Sequence, residues 1–398
     1  MAFNYQDFFR HLILGLFRTK NTHMRLGGTR IRFWVVFLLS YPVLTVTSWI
    51  CLGLDNLLYP KFRQVSVDEP IFIIGNFRSG TTFLHRLLSK DTDRFTSFKT
   101  WEIYFAPSIT QRQFWRGASL VDRFFGSPVL RRIRTEQERL FGPIRMHRIR
   151  LEEPEEDEGL LLHMWAGLFV WFFSPRSEVG EAYAHFDRDV PFYKRRRCLR
   201  FYQSCVKRHL YVHGPEKRLV SKNPSFSPKV RSLLQVFPDA RFVYLARDPK
   251  TMLVSELNWL SYAWHYFASP SARYPFRDQV VRMAHYWYLY PLAELLRLDD
   301  TQYRIYSFGT LTRATEATIR DLYDHFAIPR QVGVTMPVRR SGNVDGTGPS
   351  VGLAEVGLSE ESVLRDFAEV YRLIPFRTIG PITVAPGSSN AAVVARLG

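Results

Sequence analysis

Two glycines, Gly75 and Gly80, enclose Asn76, Phe77, Arg78 and Ser79, and Thr81 and Thr82 follow directly. An apolar run, Ile71–Ile74, leads in, and Leu84, Leu87 and Leu88 follow at helical spacing, so the segment reads as strand, loop and helix. In that arrangement backbone N–H groups and a helix N-terminus converge on an anion. Ser79, Thr81 and Thr82 add hydroxyl donors, and Arg78 adds a fixed positive charge. The glycine spacing matches G-x-x-x-x-G-K-[ST], yet Thr81 stands where that motif has lysine. No clear aspartate closes an apolar strand to hold magnesium, as triphosphate chemistry requires. A triphosphate is therefore poorly served, and a single 5′-phosphate carrying one transferable group is well served.

The segment "FIIGNFRSGTTFLHRLL" (72–88) resembles the 5′-phosphosulfate-binding loop of sulfotransferases, which use 3′-phosphoadenosine 5′-phosphosulfate. "VYLARDPKTMLVSELNWL" (243–260) resembles the family's second segment, in which an arginine and a serine eight positions later hold the 3′-phosphate. The resemblance assigns those roles to Arg247 and Ser255. Arg247 ends an expected parallel strand, where ligands of such sheets bind, and Ser255 lies two turns into the next helix. "SKNPSFSPKVRSLLQVFPDARF" (221–242) is similar to the preceding stretch in tyrosylprotein sulfotransferases and their bacterial relatives, where a lysine reaches the sulfate and the bridging oxygen. The resemblance places that role on Lys222. "GLSEESVLRDFAEVY" (357–371) resembles the closing helix of the bacterial relatives, so the likeness runs from Ile71 to Tyr371.

Sulfuryl transfer calls for charge neutralisation at the departing oxygen and a base for the acceptor hydroxyl. Arg78, Lys222 and the loop N–H groups meet the first need. Cytosolic-type sulfotransferases place the base two residues after the lysine as histidine, and Pro224 stands there. Tyrosylprotein sulfotransferases use a glutamate downstream of the glycine loop. By that resemblance Glu102, in "FKTWEIYF", is the leading candidate, with a pKa expected to rise beside Trp101. The acid run Glu152, Glu153, Glu155, Glu156, Asp157 and Glu158 reads mainly as a solvated helix start after Pro154, with Glu156 or Asp157 as the rival base. His163, His265 and His285, among apolar and aromatic residues, read as core or pocket wall. No cluster has metal-ligand spacing, and no metal is expected.

These residues must be positioned by strands alternating with helices. Strands are expected at Ile71–Ile74, up to Ser221, at Arg241–Ala246 and at Tyr303–Phe308, with helices at Thr81–Lys90, through Val236, after Pro249 and at Thr315–Phe326. That alternation implies βαβ units, hence an α/β, P-loop-like three-layer fold with a central parallel sheet. Phe105–Arg150 reads as short helices and loops, and Ser359–Leu373 as one helix before a mobile tail. The expected division is an N-terminal segment over 1–66, a sulfotransferase domain over 67–335 and an extension over 336–398.

The N-terminal segment adds a hydrophobic helix. "IRFWVVFLLSYPVLTVTSWICLGL" (31–54) is long enough to cross a bilayer, and Pro42 offers a kink that would fold it into a re-entrant hairpin. "FFRHLILGLF" (8–17) reads as an amphipathic helix beside Arg18, Lys20, Arg25 and Arg30, suited to an anionic membrane surface. The expected placement is on the cytoplasmic face of a membrane, with a Golgi-type single span as the alternative. The formal charge of +17 over 398 residues suits anionic partners, but no nucleic-acid motif is present. Three cysteines without a C-x-x-C pair exclude a disulfide framework. The expected reaction partner is a hydroxyl acceptor, a small molecule or lipid. Another nucleotide-dependent transferase, kinase-like, and a non-catalytic membrane-bound nucleotide-binding protein are the competing functions.

Overall fold

The computed structural model describes residues 3–20, 22–141, 150–173, 178–267, 273–329 and 352–384. The glycine-rich stretch 340–351 and the tail beyond 384 lie outside the described residues. Five strands form one parallel sheet: β1 (Ile71–Gly75), β2 (Phe95–Thr96), β3 (Arg218–Lys222), β4 (Arg241–Ala246) and β5 (Tyr303–Ser307), in the order β2-β3-β1-β4-β5. β1 is fully buried, and both its faces are apolar because helices cover both sides. Phe72, Ile74, Phe242 and Tyr244 meet one helical layer, and Ile71, Ile73, Val243 and Leu245 meet the other. The chain leaves β1 toward one edge and crosses to the other side at β4. The carboxyl ends of β1, β3 and β4 therefore open onto one crevice, the place where ligands bind in such sheets.

Three sequence expectations need correction. Residues 105–150 contain two long helices, Ile109–Phe124 and Pro128–Phe141, rather than short pieces. Their periodicity is inverted, since Phe114, Leu120, Val121, Phe124 and Val129 face outward. The acid run does not open a helix. Lys99 and Pro154 form an antiparallel bridge, and a 3-10 helix begins only at Asp157. The 359–373 helix is two, Glu360–Asp366 and Ala368–Leu373, whose Val363 and Val370 join the core.

Two N-terminal helices, α1 (Tyr5–Leu16) and α2 (Gly28–Leu58), pack on this body. Pro42 does not fold α2 into a hairpin; the helix runs unbroken for 31 residues. Its buried stripe, Arg30, Trp34, Phe37, Thr45, Ser48, Leu52 and Asp55, follows helical spacing and is half polar. Its outer face is apolar, with Val35, Val36, Leu39, Val43, Val46, Ile50 and Leu54 exposed. Polar groups on this side of the helix are bonded to the rest of the molecule: Arg30 Nη2 donates to Gly15 O at 3.0 Å, Tyr41 Oη to Leu162 O at 2.6 Å and Trp49 Nε1 to His163 O at 2.8 Å. Asp55 takes the N–H groups of Ile109 and Thr110 and pairs with Arg208 Nε at 2.8 Å. Exposed Ser40 returns its hydroxyl to Val36 O at 2.7 Å, so even this outward polar group is satisfied inside the helix.

Candidate active site

The loop after β1 is shaped by two glycines. Gly75 has φ 144°, and a side chain there would place Cβ 2.2 Å from Leu245 O. Gly80 has φ 89°, and its Cβ would lie 2.7 Å from the Phe308 ring. Arg78 also has positive φ, 64°, a conformation that costs about 1 kcal/mol for a side-chain-bearing residue. Two bonds hold it there. Arg78 Nε donates to Ser255 Oγ at 3.0 Å, and Arg247 Nη1 donates to Arg78 O at 3.0 Å. Arg247 stacks over Phe308 at 4.7 Å, and its own carbonyl accepts from Tyr288 Oη. Arg78, Arg247 and Ser255, expected from separate segments, thus form one bonded cluster. Thr81 and Thr82 begin helix α3 (Thr81–Leu88), whose first-turn N–H groups point out of the helix toward the loop.

Ser79 Oγ and both amide atoms of Asn76 are buried and have no hydrogen-bond partner among the described residues. The Ser79 hydroxyl and the Asn76 Nδ2 are unmet donors in a glycine-shaped cradle beside two arginines, and they fit an anionic ligand, whereas Asn76 Oδ1 is an acceptor that an anion would not satisfy.

Lys222 ends β3 with no exposed surface. Its Nζ lies 2.8 Å from Glu156 Oε1 and 3.5 Å from Glu155 Oε1. Burial works against the ammonium, but Glu156 and Glu155 outweigh it and raise the amine above its usual pKa. The same lysine and burial push the neighbouring His85 down to about 3, burial being the larger cause. Glu155, Glu156, the glycine loop, Arg86, Tyr104 and Arg247 line a cleft of about 530 Å³, and Phe169, Phe172, Trp259 and Ala263 complete its apolar wall.

The rest of the acid run has other tasks. Asp157 is buried and accepts from Tyr202 Oη at 2.7 Å, Ser221 Oγ at 2.8 Å and Asn223. Burial raises its carboxyl to about 6 against those three donors. Glu158 pairs with buried Lys229 and accepts from Leu168 N at 3.0 Å. Glu153, on the surface, meets Arg86 at 2.8 Å. The expected solvated helix start is therefore a strap that aims two carboxylates at the cleft and two into the core.

Glu102 is the residue that the structure sets apart from the cleft. It is fully buried and is not among the residues lining the cleft. Its oxygens accept from Lys99 N at 2.9 Å and contact His213 Nε2 at 2.6 Å, with Arg112 Nε at 3.6 Å and His209 Nδ1 at 3.8 Å. Burial favours the neutral acid, but Arg112, His209 and His213 hold the carboxyl well below its usual range, the reverse of the expected shift. Glu102, His209 and His213 bring ligand-type atoms within 4.8 Å of one another. The Arg112 guanidinium, with Nη1 3.3 Å from His209 Nδ1, already supplies the cation there.

His163 is core, with Nε2 2.9 Å from Ile103 O; His285 packs on Phe367; His265 is exposed. Sequence reasoning missed Asn76, Arg86, Phe308 and Glu256. Glu256, beside Ser255, is buried with neither carboxyl oxygen hydrogen-bonded among the described residues, and burial raises it to about 8 against the pull of Arg78. Its position directly after Ser255, the serine to which the resemblance assigns the 3′-phosphate, was the available signal.

The profile of the sulfotransferase family matches residues 70–331. Omega-hydroxy-beta-dihydromenaquinone-9 sulfotransferase Stf3, from Mycobacterium bovis and likewise from Mycobacterium tuberculosis, is 27% identical over 315 residues, covering 73% of this chain and 72% of the relative. The crystal structure of sulfotransferase STF1 from Mycobacterium tuberculosis superposes with a TM-score of 0.67 at 21% identity, covering 92% of each chain. That of STF9 from Mycobacterium avium gives 0.61 at 20%, covering 83% of each. The glycine loop, Lys222 and the Arg247–Ser255 segment all fall within the matched range, and the chain belongs to the sulfotransferase family.

Proposed function

We propose that this sulfotransferase moves the sulfuryl group of 3′-phosphoadenosine 5′-phosphosulfate to a hydroxyl on an apolar acceptor at a membrane surface. The observation that carries this reading is Glu156, which lines the cleft shared by the glycine loop and the Phe169–Phe172–Trp259 wall and pairs at 2.8 Å with buried Lys222 directly behind it. When bound, the nucleotide supplies an activated sulfuryl group and a phosphate oxygen as leaving group. Arg78, Ser79, Gly80, Thr81 and Thr82 are assigned to the 5′-phosphosulfate, and Arg247 and Ser255 to the 3′-phosphate. Lys222 neutralises charge on the departing oxygen. Glu156 takes the acceptor proton, with Glu155 keeping the lysine paired; the role expected for Glu102 passes to this strap. Arginine and lysine meet the charge, so the reading needs no metal.

The apolar wall favours an acceptor whose hydroxyl is carried on hydrocarbon, and the named substrate of the Stf3 relative is of that kind. Phe173, next to cleft residue Phe172, packs on Phe33 and Phe37 of α2, so the apolar wall continues to the membrane-type helix. With its polar stripe bonded to the domain and its apolar face outward, α2 is suited to lie in one leaflet rather than to cross alone. A cytoplasmic face, where the nucleotide is at hand, is the assigned placement.

Thermal stabilisation by 3′-phosphoadenosine 5′-phosphate compared with ATP–magnesium tests the donor. Stronger stabilisation by the bisphosphate is expected; preference for ATP, or indifference to both, overturns the reading and returns the kinase-like or non-catalytic alternatives.

A further inference from the structure

A groove of about 550 Å³ lies between α2 and the helix Phe192–His213, away from the cleft, lined by Trp49, Phe192, Arg196, Arg197, Arg200 and Phe201 among others. This helix carries an unusual density of cations, Lys194 to Arg197 in succession and then Arg200. Three of them are accounted for. Lys194 pairs with Asp7 at 2.9 Å, Arg195 with Asp187 at 3.4 Å, and Arg197 donates to Asn4. Asp189, the next carboxylate nearby, is taken by Arg188 at 2.7 Å. Arg196 and Arg200 are exposed and have no ion pair among the described residues. They sit four positions apart on one helix face, where like charges repel.

Around these guanidiniums the surface turns apolar. Phe192 and Tyr193 are exposed on the same helix, and Trp49, packed on Phe201 at 5.4 Å, is flanked on α2 by exposed Val46 and Ile50. Tyr5, Phe9 and Ile13 form a further exposed stripe on α1, which Asp7 and Asn4 tie to the same arginine helix. Aromatic rings between hydrocarbon and guanidinium reproduce the order of a membrane interface. A free anion would explain the arginines and leave the aromatic and aliphatic flanks unused. We infer that this groove is a headgroup site: Arg196 and Arg200 fork onto the phosphodiester of an anionic phospholipid in the bilayer that α1 and α2 enter. The guanidinium plane suits two phosphate oxygens. The inference rests on the membrane-surface reading above and adds lipid selectivity to it.

The test is co-sedimentation of the full chain with neutral phosphatidylcholine vesicles and with the same vesicles doped with phosphatidylglycerol. Wild type should prefer the doped vesicles, and Arg196→Gln/Arg200→Gln should lower that binding roughly tenfold to thirtyfold. Binding to neutral vesicles and stabilisation by the bisphosphate nucleotide should stay unchanged in the variant. Arg313→Gln/Arg320→Gln, removing equal charge from exposed positions over the opposite sheet face, should keep the preference. A preference kept by the Arg196/Arg200 variant, or lost equally by the control, overturns the site. Wild type that binds neutral vesicles with no anionic preference overturns the site and leaves membrane attachment standing. Failure to bind any vesicle overturns both. A variant that changes only the protein's own sedimentation mass assigns the groove to a second copy instead, and also overturns the proposal.

Discussion

Arg78 Nε donates to Ser255 Oγ over 3.0 Å, joining the loop after β1 to the helix after β4 across 177 residues of sequence. One serine thereby holds a strained arginine in place while its neighbour Arg247 bonds the same residue's carbonyl. The two segments proposed to hold the 5′- and 3′-phosphates are consequently one bonded unit.

That unit predicts how two substitutions differ. Arg247→Ala should remove the preference for 3′-phosphoadenosine 5′-phosphate over adenosine 5′-phosphate in titration calorimetry. Ser255→Ala removes both a ligand donor and the partner of Arg78, so it should weaken binding of both nucleotides, by about tenfold for a lost hydrogen bond to a charged group. If Arg247→Ala leaves the preference intact, Arg247 does not read the 3′-phosphate.

At the reacting end, Glu156→Gln should lower kcat by roughly 100-fold to 10,000-fold, the usual range for a lost general base. Affinity for the bisphosphate should change little, because the glycine loop is untouched. Glu155→Gln, at 3.5 Å from Lys222 rather than 2.8 Å, should cost less. The reverse ranking in steady-state assays would move the base to Glu155.

Glu102→Gln separates a structural carboxylate from a catalytic one. Removing the charge leaves Arg112 buried against His209, and breaking such a buried pair costs about 3 kcal/mol. Because Arg112, His209 and His213 depress the folded-state pKa, the contribution of Glu102 is full above the unfolded value of 4.5 and is lost as pH falls below it. Denaturation curves should show a wide gap between wild type and variant at neutral pH, narrowing in acid. Unchanged stability with a collapsed kcat would restore Glu102 as the base.

The fate of Glu102 shows where sequence reading ran out. The glycine loop and the Arg247–Ser255 segment were legible because each is local: strand, turn and helix lie within twenty residues, and glycine is demanded by backbone approach at Leu245 O. Glu102 sits among Arg112, His209 and His213, and the two histidines come from a helix a hundred residues away, so nothing near "TWEIY" revealed its burial. The acid run misled for a similar reason. Lys222 and Lys229 draw its carboxylates inward, against the local pattern of a helix start. In the helix Ile109–Phe124 the apolar positions were visible, but their side was not, since Phe124 is 85% exposed. Hydrophobic spacing gives a face, and whether core or lipid covers it is decided elsewhere.

Glu256 supplies the last prediction. It is buried next to Ser255, its carboxyl oxygens have no hydrogen-bond partner among the described residues, and burial lifts it to about 8, with Arg78 pulling the other way. A carboxyl whose folded pKa exceeds the unfolded 4.5 stabilises fully below 4.5, and that contribution is lost as pH rises through about 8. Glu256→Gln keeps the shape and cannot ionise. Its stability relative to wild type should therefore climb by on the order of 1 kcal/mol per pH unit between the unfolded value of 4.5 and about pH 8, and level off above that, where Glu256 is ionised in both states. The phosphate-binding role proposed for the Arg78–Ser255–Arg247 unit gives this a functional side. An anion held by Arg78 opposes ionisation of Glu256, so in wild type bisphosphate affinity should fall as pH passes about 8, and in Glu256→Gln it should hold. Parallel pH profiles of denaturation midpoint and nucleotide affinity measure both. A variant whose profiles run parallel to wild type would mean that Glu256 is already ionised in the fold, with Arg78 as its counter-charge rather than the ligand's.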